Sequence, residues 1–157
     1  EKFYLNFHYI MDEKDKLILS LLQKDGRMTA SEMAEKVDLS VPAVTERIRK
    51  LTEGGILKDF RAVLDAKKVS YDVTAYIFLD MSSSNSYGDM VQYAQDNDEV
   101  LECHSITGEG SHILKVRTHD TSSLESLLRN IQSWPGVIRT HTMIVMSTFK
   151  EATYLQL

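Results

Sequence analysis

Apolar residues recur at helical spacing from Asp12 to Gln23, where Leu17, Leu21 and Leu22 share one face with Ile18 beside them. This predicts a helix, and Gly26 is read as its stop. Thr29 followed three residues later by Glu32 has the spacing of a capping box, predicting a short second helix to about Val37 with Met33, Ala34 and Val37 inward. Asp38-Leu39-Ser40 is a tight connection, and Ser40 is a good N-cap. Pro42 falls in the first turn of a third helix, where its missing N–H costs nothing. That helix runs to about Glu53 and is closed by Gly54-Gly55, with Val44, Ile48 and Leu51 on its inner face.

Beyond the third helix the period changes. Ile56 to Asp65 reads as extended and Ala66 to Tyr71 as a short polar linker. Val73 to Met81 is a β-branched and aromatic strand, and Tyr87 to Asn97 a helix with Met90, Val91 and Ala94 on one face. Val100 to Thr107 and Ser111 to Thr118 are strands around the turn Gly108-Glu109-Gly110. Thr121 to Ser133 is a helix, Pro135-Gly136 a turn, and Val137 to Phe149 a long last strand. The order β-α-β-β-α-β is the ferredoxin-like arrangement. Strict alternation puts Val100, His104, Ile106, Leu114 and Val116 on one side of the hairpin and Cys103, Ser105, Ile113, Lys115 and Arg117 on the other. In the last strand, Val137, Arg139, His141 and Met143 alternate with Ile138, Thr140, Thr142 and Ile144. Neither face is wholly polar, which favours a second copy of the chain on the face without helices.

Composition narrows the classes. Hydrophobic residues make up 43% and charged residues 26%, a globular balance. No apolar run approaches the ~18–20 residues of a membrane span. Residues 1–10 are aromatic-rich without the form of a secretion signal. They are read as a tag or upstream remnant before Met11. The single cysteine, Cys103, leaves no intramolecular disulfide and suits a reducing, cytoplasmic setting. Net charge is −5, yet Asp12 to Ala62 carries ten basic and ten acidic residues, so the excess lies in the second half. An acidic body does not forbid nucleic-acid binding, because phosphate contact is local.

The third helix has the chemistry for such contact. Opposite its apolar face stand Pro42, Thr45, Glu46, Arg49 and Lys50, with Arg47 on the flank. Arginine and lysine meet guanine edges or phosphates, and Thr45 can meet a base or a thymine methyl. Glu46 can accept from cytosine or orient Arg49 or Lys50. Helix N-termini at Thr29–Ser31 and Ser40–Val41 offer N–H groups to phosphates. The expected DNA-binding set is Ser31, Ser40, Thr45, Glu46, Arg47, Arg49 and Lys50.

The stretch Leu39 to Leu51 with Gly54-Gly55-Ile56-Leu57 closely resembles the leucine-responsive/asparagine-regulator (Lrp/AsnC) family. The likeness includes Asp12 to Leu22 with Gly26-Arg27 and resumes at Thr107-Gly108 and Pro135-Gly136-Val137. It implies a bacterial or archaeal DNA-binding transcriptional regulator whose second domain forms dimers, tetramers or octamers and binds amino acids. The expected fold is α+β: a winged helix-turn-helix domain over 11–55, an extended hinge over 56–71 and a ferredoxin-like, RAM- or ACT-like domain over 72–157. The hairpin Gly108, Glu109, Gly110, Ser111 and His112 is the candidate effector site, since glycines let backbone N–H groups approach a carboxylate. The family pattern has an acidic residue followed by an aromatic where this chain has Ser111 and His112.

Other readings are weaker in chemistry. Cys103 and His104 are adjacent strand residues that point to opposite faces, so they make no nucleophile and base. His104 and His112, placed on one face near Glu102, are a conceivable metal pair. No Walker or Rossmann glycine loop is present, and no catalytic residue or cofactor is expected. The rival reading is a small-molecule-binding or assembly protein whose N-terminal helices contact protein rather than DNA.

Overall fold

A computed structural model describes residues 10–108 and 110–157. The segment 1–9 read as a remnant, and Glu109, lie outside the described residues. The chain divides into two compact units. One reaches to Val63 and takes in Glu151–Leu157, and the other is Leu64–Lys150.

The first unit is built on three capped helices: α1 (Glu13–Lys24), α2 (Ala30–Val37) and α3 (Val41–Glu53). Asp12 caps α1 in a reciprocal box, with its Oδ1 accepting from the Asp15 N–H (2.9 Å) while Asp15 Oδ2 accepts from its own N–H (3.0 Å). Thr29 and Glu32 form the second box as the spacing predicts. Asp38 ends α2 in the left-handed region (φ 53°), and Ser40 then caps α3 through the Ala43 N–H. The turn between α2 and α3 is therefore two short-range devices in succession. The end of α1 differs from expectation, because Asp25, not Gly26, is its extended C-cap. Ile18, Leu19, Leu22, Met33, Ala34, Val37, Val44 and Leu51 form the core. After α3 the chain runs without helix or strand to Ala66, and Val63 is 94% exposed.

Residues 151–157, which the sequence division carries with the last domain, pack with this first unit. Gln23 Nε2 donates to the Leu155 carbonyl (3.0 Å), and the Leu155 N–H donates to Gln23 Oε1 (2.7 Å).

The second unit has β1 (Val73–Met81), α4 (Tyr87–Gln95), β2 (Val100–Ser105), β3 (His112–Thr118), α5 (Thr121–Gln132) and β4 (Val137–Ile144). The strands lie in the order β2-β3-β1-β4, all antiparallel. This is the ferredoxin-like sheet. Ala75, Ile77, Leu79, Leu114 and Val116 bury one face against Met90, Ala94, Leu124, Leu127, Ile131 and Trp134 of the helices and the turn after α5.

Three expectations are corrected here. The last strand ends at Ile144 rather than Phe149. Its partner β1 begins at Val73, and one further bond, from the Val145 N–H to Thr74 O (2.9 Å), completes the pairing. In β2 the register shifts between Val100 (opposite Val116) and Glu102 (opposite Lys115). The extra residue Leu101 flips everything after it, so Cys103 faces the core opposite Leu114 while His104 sits opposite Ile113 on the outer face. In β4 a shift beside Asp80 and Met81 turns Val137 onto the core, apart from Arg139, His141 and Met143. The conceivable metal pair is thereby split. His112 is buried, His104 is exposed beside Glu102 (3.2 Å), and no group of three ligating side chains occurs among the described residues.

Candidate functional site

Helical periodicity sets what α3 presents. Val44 and Leu51 are fully buried, which turns Thr45, Glu46, Arg49 and Lys50 to solvent. Thr45 back-bonds to the Val41 carbonyl (3.0 Å) and is exposed, at the edge of a groove lined by Leu22, Met28, Ile48 and Phe60. Arg49 donates from Nε (2.8 Å) and NH2 (2.7 Å) to the two oxygens of Glu46, and from NH1 to Glu53. Lys50 Nζ lies 3.7 Å from Glu46. The Arg49 guanidinium beside it holds the Glu46 carboxyl below the usual carboxylate range, and Glu46 and Glu53 in turn raise Arg49. Glu53 was not among the expected site residues, although its i+4 spacing from Arg49 is visible in the chain.

Arg47 lies elsewhere. Its NH1 donates to Asp12 Oδ2 (2.8 Å) and Asp15 Oδ1 (2.7 Å), and Asp15 is 1% exposed. The side chain ties α3 to the first turn of α1, with its guanidinium committed to two carboxylates within the unit. Nothing in the local pattern around Arg47 signals partners 32 and 35 residues away. Ser31 and Ser40 line one shallow groove of about 570 Å³ together with Glu35, Asp38 and Val41. Ser40 Oγ accepts from the Ala43 N–H, which leaves its O–H to donate outward.

The glycine hairpin is anchored from within. The Ser111 N–H (2.8 Å) and hydroxyl (3.1 Å) both donate to the Leu79 carbonyl, and the Ile106 N–H donates to Ser111 O (3.0 Å). Gly110 has φ +83°, and a Cβ there would sit 3.2 Å from Leu79 O, so glycine is what lets the turn approach β1. His112 is 3% exposed, edge-on to Tyr87 at 4.6 Å, with Nδ1 3.0 Å from Ser111 Oγ. Because the Ser111 proton is given to Leu79 O, Nδ1 carries hydrogen and donates to Ser111. Ser111 and His112 thus brace the turn, Gly110 packs against β1, and Gly108 is the exposed part. The strand register adds a pair that the sequence reading missed. Arg139 Nε donates to Asp80 Oδ2 (2.7 Å), and Asp80 Oδ1 lies 3.7 Å from a Cβ placed on Gly110.

Burial pushes the His112 pKa down. The neutral ring is favoured in the folded state, so the unfolded chain takes the proton first as pH falls through its ordinary value of about 6.5. Stability from this group is present above that pH and is lost on acidification. Unfolding monitored by Trp134 fluorescence is expected to show His112→Asn with a flatter loss between pH 7.5 and 5 than the parent. Equal slopes in the two proteins would assign the loss to other groups.

Two family models together match most of the chain. A winged helix-turn-helix DNA-binding model matches residues 11–58, and the Lrp/AsnC ligand-binding domain matches residues 74–155. The chain is 36% identical over 145 residues to the HTH-type transcriptional regulator FL11 of Pyrococcus horikoshii, covering 92% of this chain and 95% of that protein. It is 34% identical over 137 residues to the regulatory protein AsnC of Haemophilus influenzae, covering 87% and 91%. Among solved structures, a feast or famine regulatory protein of M. tuberculosis complexed with L-methionine superposes with a TM-score of 0.88 at 30% identity, covering 94% of this chain and 100% of that one. A transcriptional regulator of Neisseria meningitidis in complex with L-Met gives 0.87 at 28% identity, covering 93% and 96%. A capped helix-turn-helix with a polar reading face, followed by the ligand-binding fold of these regulators, places this chain in the Lrp/AsnC family of DNA-binding transcriptional regulators.

Proposed function

We propose that the chain binds operator DNA through Thr45, Glu46, Arg49 and Lys50, with Ser31 and Ser40 meeting phosphates at the N-terminal ends of α2 and α3, and that an amino acid modulates it. The observation that carries this reading is the capped α2–turn–α3 unit. Asp38 and the Ser40 cap fix α3 so that its polar face projects away from a closed core. Arg47 serves this site from behind, by holding α3 against α1. In an anisotropy titration, Arg49→Ala is expected to weaken operator binding by about 1–3 kcal/mol and Lys50→Ala to weaken all duplexes and flatten the salt dependence. Parent-like titrations from both variants would refute α3 as the reader.

Effector recognition is assigned to Gly108 and Gly110 of the hairpin together with Asp80 and Arg139. An amino acid carries a carboxylate and an ammonium, and the turn's backbone N–H groups and this acid–base pair complement both. Relatives solved with L-methionine support the class. The chain acts by binding, in the cytoplasm, and assembles through the bare face of its sheet. Tyr76, Phe78, Ile113 and Met143 stand there among His104, Lys115, Arg117, Arg139 and His141, an apolar centre with a charged surround suited to a second copy. Two readers in one dimer then meet successive major grooves about 34–36 Å apart. Light scattering is expected to give at least twice 17.9 kDa, with Phe78→Asp shifting the mass to the monomer. A thermal-shift screen of the twenty amino acids, read with the mass, tests the effector, since a ligand held only by the folded state raises its stability.

A further inference from the structure

We propose that Glu46 and Glu53 guard Arg49 against phosphates and make it selective for a C·G base pair, an inference that rests on α3 being the DNA-contacting helix. Arg49 is held on the Nε and NH2 side by a two-oxygen contact with Glu46 (2.8 and 2.7 Å) and at NH1 by Glu53. Glu46 also faces Lys50 at 3.7 Å. The four side chains are about half exposed and their charges sum to zero. Arg47, the remaining cation of the helix, is engaged by Asp12 and Asp15. Arg49 therefore meets a passing phosphate only if a carboxylate is displaced, while Lys50, half exposed and 3.7 Å from Glu46, stays open to one.

Helical spacing sets this arrangement, with Glu46 three residues before Arg49 and Glu53 four after it. Solvent-exposed pairs of this kind are weak and screened by salt, so the guard opens at small cost. What opens it decides selectivity. A phosphate satisfies Arg49 alone and leaves Glu46 beside another anion. A C·G pair presents guanine O6 and N7 to Arg49 and the cytosine N4 amino group to Glu46, so both members are satisfied in the major groove. Sequence-independent affinity comes from cation–phosphate contacts, and a guarded arginine withholds one of them.

The test uses the full chain. The parent protein selects duplexes from a random-core library. Its best duplex and a scrambled one of equal composition are then titrated by anisotropy between 50 and 300 mM salt, with circular dichroism confirming that each variant is folded. The selected core is expected to hold a C·G pair that Glu46→Gln no longer requires. In Glu46→Gln the ratio of selected to scrambled affinity falls about five- to a hundredfold. Both Glu46→Gln and Glu53→Gln tighten on scrambled DNA, with a salt slope steeper by about one. An unchanged ratio in Glu46→Gln, with Arg49→Ala still losing affinity, overturns the guard and leaves the DNA reading standing. If Arg49→Ala alone leaves both duplexes bound as before, the guard falls, and if Lys50→Ala does so as well, α3 is not the reader.

Discussion

Arg47→Ala is expected to lower the stability of the first unit by about 3 kcal/mol, the low end of what removing one partner of a buried ion pair costs. Arg47 NH1 bridges Asp12 and Asp15 at 2.8 and 2.7 Å, and Asp15 is 1% exposed. Deleting the guanidinium removes a charged partner of that carboxylate and admits water from the side of Arg47, itself 26% exposed, with the Asp12 N–H still donating to it (3.0 Å). The water admitted and that bond are why the low end applies. Arg47→Lys restores a charge but not a planar head that reaches both carboxylates, so recovery should be partial. Helical circular dichroism reports the helices of both units, so the first unit's share is isolated against a probe of the second unit alone. Trp134, the single tryptophan, reports the second unit, so the helical circular dichroism change in urea is followed against Trp134 fluorescence. The dichroism midpoint should move while the fluorescence midpoint holds. Were Arg47 instead a base-reading residue, its loss would remove DNA affinity with the midpoint unmoved, and that result would defeat the structural role given to it here.

Gly136→Ala should cost the second unit a similar amount, about 3 kcal/mol, from two sources. Gly136 has φ +83°, a region that costs a residue with a Cβ roughly 1–2 kcal/mol. The new Cβ would also lie 2.5 Å from Ser86 Cβ and 2.6 Å from its Oγ, a clash that must shift either the short 3₁₀ turn Ser84–Ser86 or the start of β4. The Ser82 N–H donates to the Gly136 carbonyl (2.8 Å), so a shift there also disturbs the end of β1. Trp134 lies two residues away and is 5% exposed, which makes its fluorescence a direct reporter. Adding Ser86→Gly should relieve the clash and leave the backbone part. A Gly136→Ala protein with the parent's midpoint would show that the turn adjusts freely.

The sequence by itself determined the caps of α2 and α3 and the helical faces, which rest on neighbours a few residues apart. The caps at Thr29 and Ser40 are carried by side chains that reach their own helix's N–H groups, and the helical faces of α3 and α5 follow from a fixed rotation per residue. The three-helix reader, its polar face and the β-α-β-β-α-β order were legible for that reason. Strand faces were not legible past a bulge. Leu101 inserts one residue that alternation cannot foresee, and it moved Cys103 inward and His104 outward. The length of the last strand was set by where β1 begins, which lies some seventy residues earlier in the chain.

Tertiary structure alone decided which charges do what. Arg47, Arg49 and Lys50 are indistinguishable as cations in a list, yet packing of α1 against α3 gives Arg47 two carboxylates from the start of the unit, while Arg49 keeps partners from its own helix. Ser111 and His112 stand in a glycine turn that the chain presents as open, and the sheet draws both of them inward onto Leu79 and Tyr87. The same sheet places Asp80 against Arg139 beside that turn across 59 residues. The physical reason is common to all three. An ion pair or a buried ring depends on distances across the fold, and those are set by strand register and helix docking rather than by spacing along the chain.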